Sequence, residues 1–430
     1  MILTLFAIKL LVTIIRFSRL GRGTSLPGII IEKYYPQLLE KLGSQFKKVI
    51  FITGTNGKTT TQHLISYLLK REDEDVCSNK SGANLIRGIA TSIILDTTFT
   101  GKLKSDIGVF EVEEASMPIL TKYLKPSHIV VTSLYRDQLD AYGELVKTRN
   151  YILNAVKSCP KSKLFLNKND ENVSSIASEC NNDTTLFSIR DKIREKIFFE
   201  RSYFKYKNRK GLKRVYTRNV KIKSDLSTEF NVYGLNENIK DLQFNALGIH
   251  NIYNALAALS VIDSIYKISS SEIKSTMSNF LPVFGRGEIV KVNNKNIRLL
   301  LVKNPASLTA NLTMLQNRLS LKLLIILNDK IADGTDVSWI WDAKFELLGN
   351  ADISWITISG KRAYDMALRL KYADVRCINI EIEPNISKAL DLSISKLREG
   401  DTLFVLPTYT AMLDIRKDIS NIVKIKNIWN

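Results

Sequence analysis

The sequence contains few of the residues that bind transition metals or form disulfides. Its 430 residues include three histidines and four cysteines, and no two cysteines have C-x-x-C spacing. This scarcity argues against a structural zinc ribbon and against a disulfide framework. It is also typical of proteins from a reducing compartment, so we expect a cytoplasmic protein.

A long hydrophobic run is absent as well. Residues 1–15 are mostly apolar and are interrupted by Lys9, and a membrane-spanning helix needs roughly 18–20 residues. Arg16, Arg19 and Arg22 follow this run, whereas a signal peptide carries its positive charge first. We therefore expect no export. The segment is either a helix packed on the first domain or an interfacial helix at the inner membrane face.

Acidic residues are the scarcer of the two charges. The chain has 43 Asp and Glu against 62 Lys and Arg, a net charge of +19, with an ordinary 45% of hydrophobic residues. This balance predicts an anionic partner, which could be nucleic acid, an anionic membrane or a phosphorylated substrate. Residues 201–223 hold ten basic residues and no acidic one. We predict that they meet anionic lipid or a substrate pyrophosphate, the alternative being a solvated loop.

Strand-like runs alternate with helical spacing in the first half of the chain. The strand candidates are residues 47–53, 106–112 and 128–132, and the helix candidates are residues 59–70, 117–124, 145–156 and 256–265. This alternation predicts an α/β fold with a parallel sheet covered by helices. Residues 202–242 are polar, with short alternating runs, and indicate a β-rich insertion or a mobile excursion.

The alternation restarts after a break at residues 282–287, where we expect an interdomain hinge. Strand candidates beyond it are residues 297–302, 321–327, 353–358, 376–380 and 402–406. We therefore predict a first domain over residues 1–284, with its insertion at about 195–242, and a Rossmann-like second domain over residues 285–430.

The clearest motif is a phosphate-binding loop, T-G-T-N-G-K-T-T, at residues 53–60. It follows a strand candidate and opens a helix candidate, which is the context that such a loop needs. Glycines let backbone amides approach phosphate, and the helix N-terminus adds partial positive charge. Lys58 can then reach the β- and γ-phosphates, and the Thr59 hydroxyl can bind Mg²⁺. The strict Walker pattern would have glycine in place of Ile52.

This loop resembles the ATP loop of the Mur ligases, which form amide bonds in peptidoglycan synthesis. Further segments similar to that family are F-E-V-E-E at 110–114, R-D-Q-L-D at 136–140, G-I-H-N-I-Y-N-A at 248–255 and G-R-G-E at 285–288. The resemblance implies a Mur-ligase-type P-loop central domain, with ATP and Mg²⁺ as cofactors.

The resemblance also implies site residues. Those that would bind the nucleotide are Gly54, Thr55, Asn56, Gly57, Lys58, Thr59, Thr60, Asn251, Asn254 and Arg286. Mg²⁺ would be held by Thr59 and Glu111. Each assignment has a structural alternative: Glu111 could belong to a solvated acidic run, the two asparagines could cap or pack their helix, and Arg286 could form an ion pair. Glu113 and Glu114 are expected to be secondary or structural.

Several segments are similar to one branch of the family in particular, the MurT proteins. They lie at residues 81–84, 136–140, 303–306, 327–329, 332–334, 338–342 and 407–410. This resemblance implies that Asp342 completes, in trans, the Cys–His pair of a partner, a GatD-type glutamine amidotransferase. Asp336 and then Asp333 are the other candidates. The alternative for Asp342 is a helix N-cap, where aspartate is favoured.

The sequence departs from the family pattern in three places. The loop begins at residue 53, which leaves no room before it for a UDP-sugar domain and favours a lipid-linked substrate. Gln138 replaces the histidine of the usual D-H-[LM]-D segment, and Leu153 lies near the position of a lysine that is carbamylated in other members. Phe204 and Lys207 occupy positions where many MurT proteins have a zinc-binding C-x-x-C. We therefore predict an insertion without zinc.

Amide formation from a carboxylate requires activation, which ATP supplies as an acyl phosphate. None of the four cysteines lies in a nucleophile-elbow setting, so ammonia would have to come from a partner. The resemblance implies the ATP-dependent synthetase subunit of lipid II isoglutaminyl synthase, which amidates the D-glutamate α-carboxylate of the stem peptide. One alternative is an ordinary Mur or folylpolyglutamate-type ligase, although the latter usually has G-K-G-S at residues 57–60. The other is a nucleic-acid-binding P-loop protein, whereas our main hypothesis involves no nucleic acid.

Overall fold

The computed structural model describes residue 9 and residues 26–79, 83–135, 145–197, 199, 202, 204–281, 285–376 and 379–423. The apolar N-terminal run apart from Lys9, the segment at residues 136–140 and residues 282–284 of the expected hinge lie outside the described residues. Within the described part of the chain, no helix is both long and apolar enough to cross a membrane.

The first half of the chain forms one nine-stranded sheet. Its strands are β1 (Lys48–Thr53), β2 (Val76–Ser78), β3 (Ile107–Glu111), β4 (His128–Val131), β5 (Lys163–Asn167), β6 (Thr184–Ile189), β7 (Lys213–Ile222), β8 (Thr228–Tyr233) and β9 (Ile239–Phe244). They lie in the order β2-β3-β1-β4-β5-β6-β7-β8-β9. All pairs up to β6–β7 are parallel, and β7–β8 and β8–β9 are antiparallel.

Helices cover this sheet. They are α1 (Leu26–Tyr34), α2 (Pro36–Gly43), α3 (Lys58–Arg71), α4 (Ile86–Asp96), α5 (Met117–Tyr123), α6 (Leu145–Lys157), α7 (Glu171–Ser174), α8 (His250–Ile265) and α9 (Ser270–Ser278). Successive residues of a strand point to opposite faces. Val49 and Phe51 of β1 therefore pack in one apolar cluster, and Ile50 and Ile52 pack in another.

The second half forms a six-stranded sheet in the order β10-β11-β15-β12-β13-β14. Its strands are β10 (Arg286–Val292), β11 (Lys295–Leu300), β12 (Leu321–Ile326), β13 (Ile353–Ser359), β14 (Ile380–Ile382) and β15 (Thr402–Pro407), and its helices are α10 (Pro305–Leu315), α11 (Ala363–Tyr372), α12 (Ile386–Ser395) and α13 (Tyr409–Ile422). Only β10 is antiparallel to its neighbour.

The α/β class with two mostly parallel sheets is confirmed, and the differences are local. The β-rich residues form β7, β8 and β9, which continue the first sheet and are no separate excursion. Helix α8 begins at residue 250, six residues earlier than expected, because residues 251–262 are all buried and therefore show no amphipathic period. Arg286 begins β10, so it belongs to the second sheet and not to a hinge loop.

Candidate active site

The phosphate loop connects β1 to α3 and is fixed to the end of β4. The backbone N–H of Thr55 donates to the Ser133 carbonyl at 2.7 Å. Gly57 has φ of +93° and would bring any Cβ to 2.3 Å from Oδ1 of Asn254, so only glycine fits there. Because α3 begins at the next residue, its N-terminal amides open onto the site, as phosphate binding requires.

Lys58 lies buried between carboxylates. Its Nζ is 2.9 Å from Oε1 of Glu114 and 3.7 Å from Oε2 of Glu113. The same Glu114 oxygen accepts a hydrogen bond from the Gly54 N–H at 3.1 Å. These glutamates were expected to be secondary or structural, and the structure places both of them in contact with the loop lysine. The signal was present in the sequence, because both residues follow the carboxyl end of β3, where groups of an open α/β sheet converge.

The pKa values of this cluster follow from burial and proximity. Burial alone would lower the pKa of Lys58, but Glu114, Glu113 and Glu111 together raise it above its ordinary value. Burial raises the pKa of Glu113 to about 8, although Lys58 opposes the shift. For Glu114 burial is outweighed by the Lys58 charge, which lowers its pKa to about 2. Lys58 and Glu114 thus form a charged pair at neutral pH.

Two oxygen donors lie side by side next to this pair. The Thr59 hydroxyl donates to Oε2 of Glu111 at 2.6 Å, and Glu111 is almost fully buried at the end of β3. Asn79 fixes the Glu111 backbone by accepting from its N–H at 2.9 Å and donating to its carbonyl at 2.7 Å. Asn84 donates to Oε2 of Glu113 at 2.8 Å. Among the described residues no group of three or more His, Cys, Asp or Glu side chains could hold a metal.

The asparagines of α8 form a buried chain of hydrogen bonds behind the loop. Thr61 donates to Asn254 at 3.3 Å, Asn254 donates to Asn251 at 2.7 Å, and Asn251 donates to the Leu247 carbonyl at 2.6 Å. Arg286 reaches the same place from the second sheet, where its Nη1 donates to Thr60 at 3.4 Å. Its Nε is buried and has no hydrogen-bond partner among the described residues. Burial lowers the pKa of Arg286.

These groups line a cavity of about 730 Å³ between the two sheets. The phosphate loop, Glu111 and Arg286 form its polar end, and the first turns of α8 and helix α10 line it further along. Aromatic rings gather at one wall, where Phe199 stacks on Tyr135 at 6.2 Å between centroids and meets Tyr253 edge-on at 5.9 Å. A cavity with this volume and a polar end is suited to a ligand that joins an aromatic base to phosphates.

A contact that the sequence analysis missed joins the loop to the second half of the chain. Asn56 and Asn304 exchange two amide hydrogen bonds, at 3.3 and 3.1 Å. Asn304 also caps α10, because its Oδ1 accepts from the Ser307 N–H at 2.9 Å. The available signal was an asparagine directly before a proline, which is a common helix start.

Asp342 lies away from this cavity, on the surface of the second half. It directly follows a 3₁₀ helix at Ser338–Trp341, and its N–H donates to the Trp339 carbonyl at 3.1 Å. The next 3₁₀ helix, Phe345–Leu348, has Lys344 at its N-cap, so the helix-cap alternative for Asp342 is wrong. Asp333 is buried and accepts from Thr410, whereas Asp336 is exposed and accepts from the Ser338 N–H at 2.8 Å.

A phosphate loop that opens onto a cavity between two α/β sheets is typical of nucleotide-dependent enzymes, and similarity to known proteins identifies the class here as ATP-dependent ligases with the Mur ligase fold. A sequence model described as the Mur ligase middle domain matches residues 52–262, and one described as the MurT ligase C-terminal domain matches residues 301–412. The fold is similar to that of a MurF ligase from Thermotoga maritima solved in complex with ADP, with a TM-score of 0.64 at 14% identity over 89% of this chain and 82% of that one.

Curated relatives cover nearly the whole chain. It is 31% identical to the MurT subunit of the glutamine-hydrolyzing lipid II isoglutaminyl synthase of Streptococcus pneumoniae strain R6, and 32% identical to the MurT subunit from Staphylococcus aureus strain COL. Each comparison covers 93% of both proteins. The chain therefore belongs to the Mur ligase family of ATP-dependent ligases, and within it to the MurT branch.

Proposed function

We propose that this protein is the synthetase subunit of a lipid II isoglutaminyl synthase, which amidates the D-glutamate α-carboxylate of the stem peptide. The observation that carries the proposal is the similarity to MurT subunits over 93% of the chain. The arrangement of Lys58, Thr59 and Glu111 around the phosphate loop supports it, because it brings together the charges that phosphoryl transfer needs.

ATP would occupy the cavity between the two sheets. Its triphosphate would lie on the loop amides and the N-terminus of α3. Lys58 would then exchange its bond to Glu114 for the β- and γ-phosphates, while the unpaired Nε of Arg286 would meet a phosphate oxygen. Asn251 and Asn254 hold the first turn of α8 in place at the cavity wall, where the base is expected.

The donors at Thr59 and Glu111 fit Mg²⁺. A hydroxyl and a carboxylate that already lie 2.6 Å apart are hard oxygen ligands, and Mg²⁺ usually takes one or two carboxylates together with phosphate oxygens and water. When bound, Mg²⁺ would neutralise phosphate charge. Asn79 and Asn84 orient Glu111 and Glu113 through the hydrogen bonds described above.

The proposed reaction has two steps, transfer of the γ-phosphoryl group to the substrate carboxylate and replacement of that phosphate by ammonia. A carboxylate oxygen of D-glutamate attacks the γ-phosphorus of ATP, and ADP leaves with the bridging oxygen, so that an acyl phosphate forms. Ammonia then attacks the carbonyl carbon, phosphate departs and a proton is released to give the amide. In both steps the positive charges of Lys58 and Arg286 stabilise oxygens on which negative charge develops.

Ammonia is proposed to come from a GatD-type glutamine amidotransferase. Of the described cysteines, Cys77 and Cys159 are buried, and burial raises the pKa of Cys77, which keeps it a thiol and a poor nucleophile. Asp342 offers an exposed carboxylate to the partner's Cys–His pair. The surface near it carries exposed apolar side chains of the kind that interfaces use, namely Trp341, Tyr364, Leu368 and Tyr372.

A peripheral position at the inner membrane face is part of the proposal, because the substrate is lipid-linked. The basic segment supports it only in part. Lys213 pairs with Asp263, and Lys221 and Lys223 pair with Glu229. Exposed lysines with no acidic partner among the described residues lie in the loop before β7, and these are the side chains that would meet anionic headgroups: Lys205, Lys207 and Lys210.

The test is amidation of lipid II by the purified complex with its partner, supplied with ATP and either glutamine or ammonium. Lys58→Ala should abolish both reactions, whereas Lys70→Ala, an exposed lysine of the same helix, should be neutral. Asp342→Asn should abolish the glutamine reaction and keep the ammonium reaction, because ATP chemistry is separate. Turnover by the Lys58→Ala variant would overturn the ATP site. Ligation of an amino acid without the partner would favour an ordinary Mur ligase.

A further inference from the structure

Helix α11 carries a buried arginine directly beneath the segment that presents Asp342. The Arg369 side chain is about 4% exposed. Its Nε donates to the Ile340 carbonyl at 3.2 Å, and its Nη2 donates to the Ala343 carbonyl at 2.8 Å. One guanidinium therefore binds the backbone on both sides of Asp342.

The remaining contacts of this guanidinium fasten the same segment. Nη2 of Arg369 is 2.7 Å from a carboxylate oxygen of Glu346. The Trp341 ring lies 5.5 Å and the Phe345 ring 5.3 Å from the guanidinium carbon. Trp341 also meets Tyr372 of α11 edge-on at 5.6 Å. Residues 340–346 are thus held to α11 by a cation that contacts five of their seven positions.

Packing alone does not require an arginine at this position. Replacement of a buried charged network by apolar residues is often neutral or stabilising, so a buried cation is weak evidence for stability. What arginine supplies is a planar fork of donors that can fix two carbonyl oxygens in one geometry, which lysine or an apolar side chain does not reproduce.

We propose that Arg369 is a positioning residue that holds Asp342 in the place where it completes the partner's Cys–His pair. This inference rests on the proposed function of Asp342. The third member of a triad acts by orienting the imidazole, so its own backbone must be fixed. A displacement of 1 Å at such a group lowers the rate by about a hundredfold.

The test compares Arg369→Lys with wild type in the full complex with its partner. Lysine keeps the charge and the apolar stem but cannot bind both carbonyls. We expect glutamine-dependent amidation to fall by about ten- to a hundredfold, with the loss in kcat and not in the KM for glutamine. Ammonium-dependent amidation and the affinity of the two subunits should change by less than about twofold.

Arg149→Lys is the matched control. Arg149 is equally buried, donates to the Asn172 carbonyl, pairs with Glu179 and stacks over Phe204 at 3.8 Å, but it lies in the first half of the chain. Its replacement should lower stability without separating the glutamine and ammonium rates.

If Arg369→Lys lowers both rates equally, or if saturating partner restores the glutamine rate, Arg369 has only a structural role. If Arg369→Lys leaves the glutamine rate unchanged while Asp342→Asn abolishes it, Arg369 is not a positioning residue, but the proposed role of Asp342 stands. If Asp342→Asn is fully active with glutamine, the proposed role of Asp342 fails first.

Discussion

At the scale of single residues, the pair of Lys58 and Glu114 shows how a buried carboxylate keeps the lysine of the phosphate loop in place. A buried ammonium without a partner would be costly, and Glu114 compensates it at 2.9 Å. The same carboxylate also receives the Gly54 N–H. An arriving phosphate therefore has to compete with a carboxylate for its lysine, so that pairing stabilises the free protein and weakens nucleotide binding.

This competition predicts the behaviour of Glu114→Gln. The free energy of unfolding of the variant should be lower than that of wild type by about 1–3 kcal/mol, because Lys58 loses its close charged partner. A non-hydrolysable ATP analogue should raise its melting temperature more than it raises that of wild type, as measured by calorimetry. Glu229→Gln, at the surface pair with Lys221 and Lys223, is the control and should change neither quantity appreciably. An equal shift in Glu114→Gln and wild type would contradict the competition.

His128 predicts a pH dependence of stability. It lies in β4, stacks on Phe165 at 6.0 Å, and has a buried Nε2 without a hydrogen-bond partner among the described residues. Burial, with the nearby charges of Lys163 and Lys48, lowers its pKa from 6.5 to about 4. The folded state therefore favours neutral imidazole. Its contribution to stability is complete above pH 6.5 and is lost as the pH falls toward 4.

We expect His128→Phe to keep the stacking and remove this titration. Between pH 8 and pH 5 the unfolding free energy of wild type should fall by about 2 kcal/mol more than that of the variant. Urea unfolding at both values measures the difference, and pH 8 serves as the internal reference. Parallel pH profiles for the two proteins would show that His128 titrates alike in the folded and unfolded states.

At the scale of elements, side-chain and backbone contacts fasten the loop before β7 to the first sheet. The Arg149 guanidinium of α6 stacks over Phe204 at 3.8 Å and pairs with Glu179. The Ser178 hydroxyl exchanges hydrogen bonds with the backbone of Lys207, at 3.0 and 3.2 Å. A buried cation and backbone hydrogen bonds thus hold this loop to the first sheet.

Arg149→Met should therefore release this loop. We expect the free energy of unfolding to fall by about 2–3 kcal/mol, because hydrogen bonds to the Asn172 carbonyl and Ser175 and the contact with Phe204 are lost. Proteolytic cleavage between residues 204 and 212 should become faster while the rest of the chain stays protected. Lys221→Met, on the exposed face of β7, should have little effect on either measurement. Unchanged cleavage would show that Arg149 does not hold the loop.

At the scale of the whole molecule, two contacts between described residues join the halves around the cavity, in addition to the hydrogen bond from Arg286 to Thr60. One is the amide pair of Asn56 and Asn304. The other is the turn between β7 and β8, where Leu226 is buried in the apolar cluster of the second half. Arg298 and Arg318 donate to the backbone carbonyls of residues 225 and 224, at 2.9 and 2.8 Å. The β-rich part of the first sheet therefore reaches across the cavity to the second.

Asn304→Ser should separate these two contacts. Serine retains the helix cap but cannot exchange two amide bonds with Asn56. The loss removes about 1 kcal/mol of interaction between the two halves. The ratio of molecules whose halves have separated to molecules whose halves are in contact should therefore rise by roughly fivefold. Distances between fluorescent labels on the two halves, measured without nucleotide, test this. Asn385→Ser, which alters the cap of α12 in the same half, is the control. An unchanged distance distribution would show that the halves stay together without the Asn56–Asn304 pair, through the turn at Leu226 and the Arg286–Thr60 bond.

Features whose physical cause is local in the chain could be predicted from the amino-acid sequence. The phosphate loop could be predicted because its glycines, Lys58 and Thr59 are consecutive and lie between a strand and a helix. The two parallel sheets followed from alternating patterns, and the family followed from segments that are each contiguous. The start of α8 was missed because a helix buried on all sides has no amphipathic period.

Tertiary structure decided which side chains meet across long separations. Lys58 and Glu114 are 56 residues apart, Asn56 and Asn304 are 248 apart, and Arg369 binds a carbonyl 29 residues away. The turn at Leu226 enters a core built from the other sheet. No local pattern encodes these pairs, because strand order and the packing of helices on the sheets set the distances between them. The phosphate loop is thus encoded in consecutive residues, whereas the distant side chains that pair with it, orient it and enclose it are brought there by the fold.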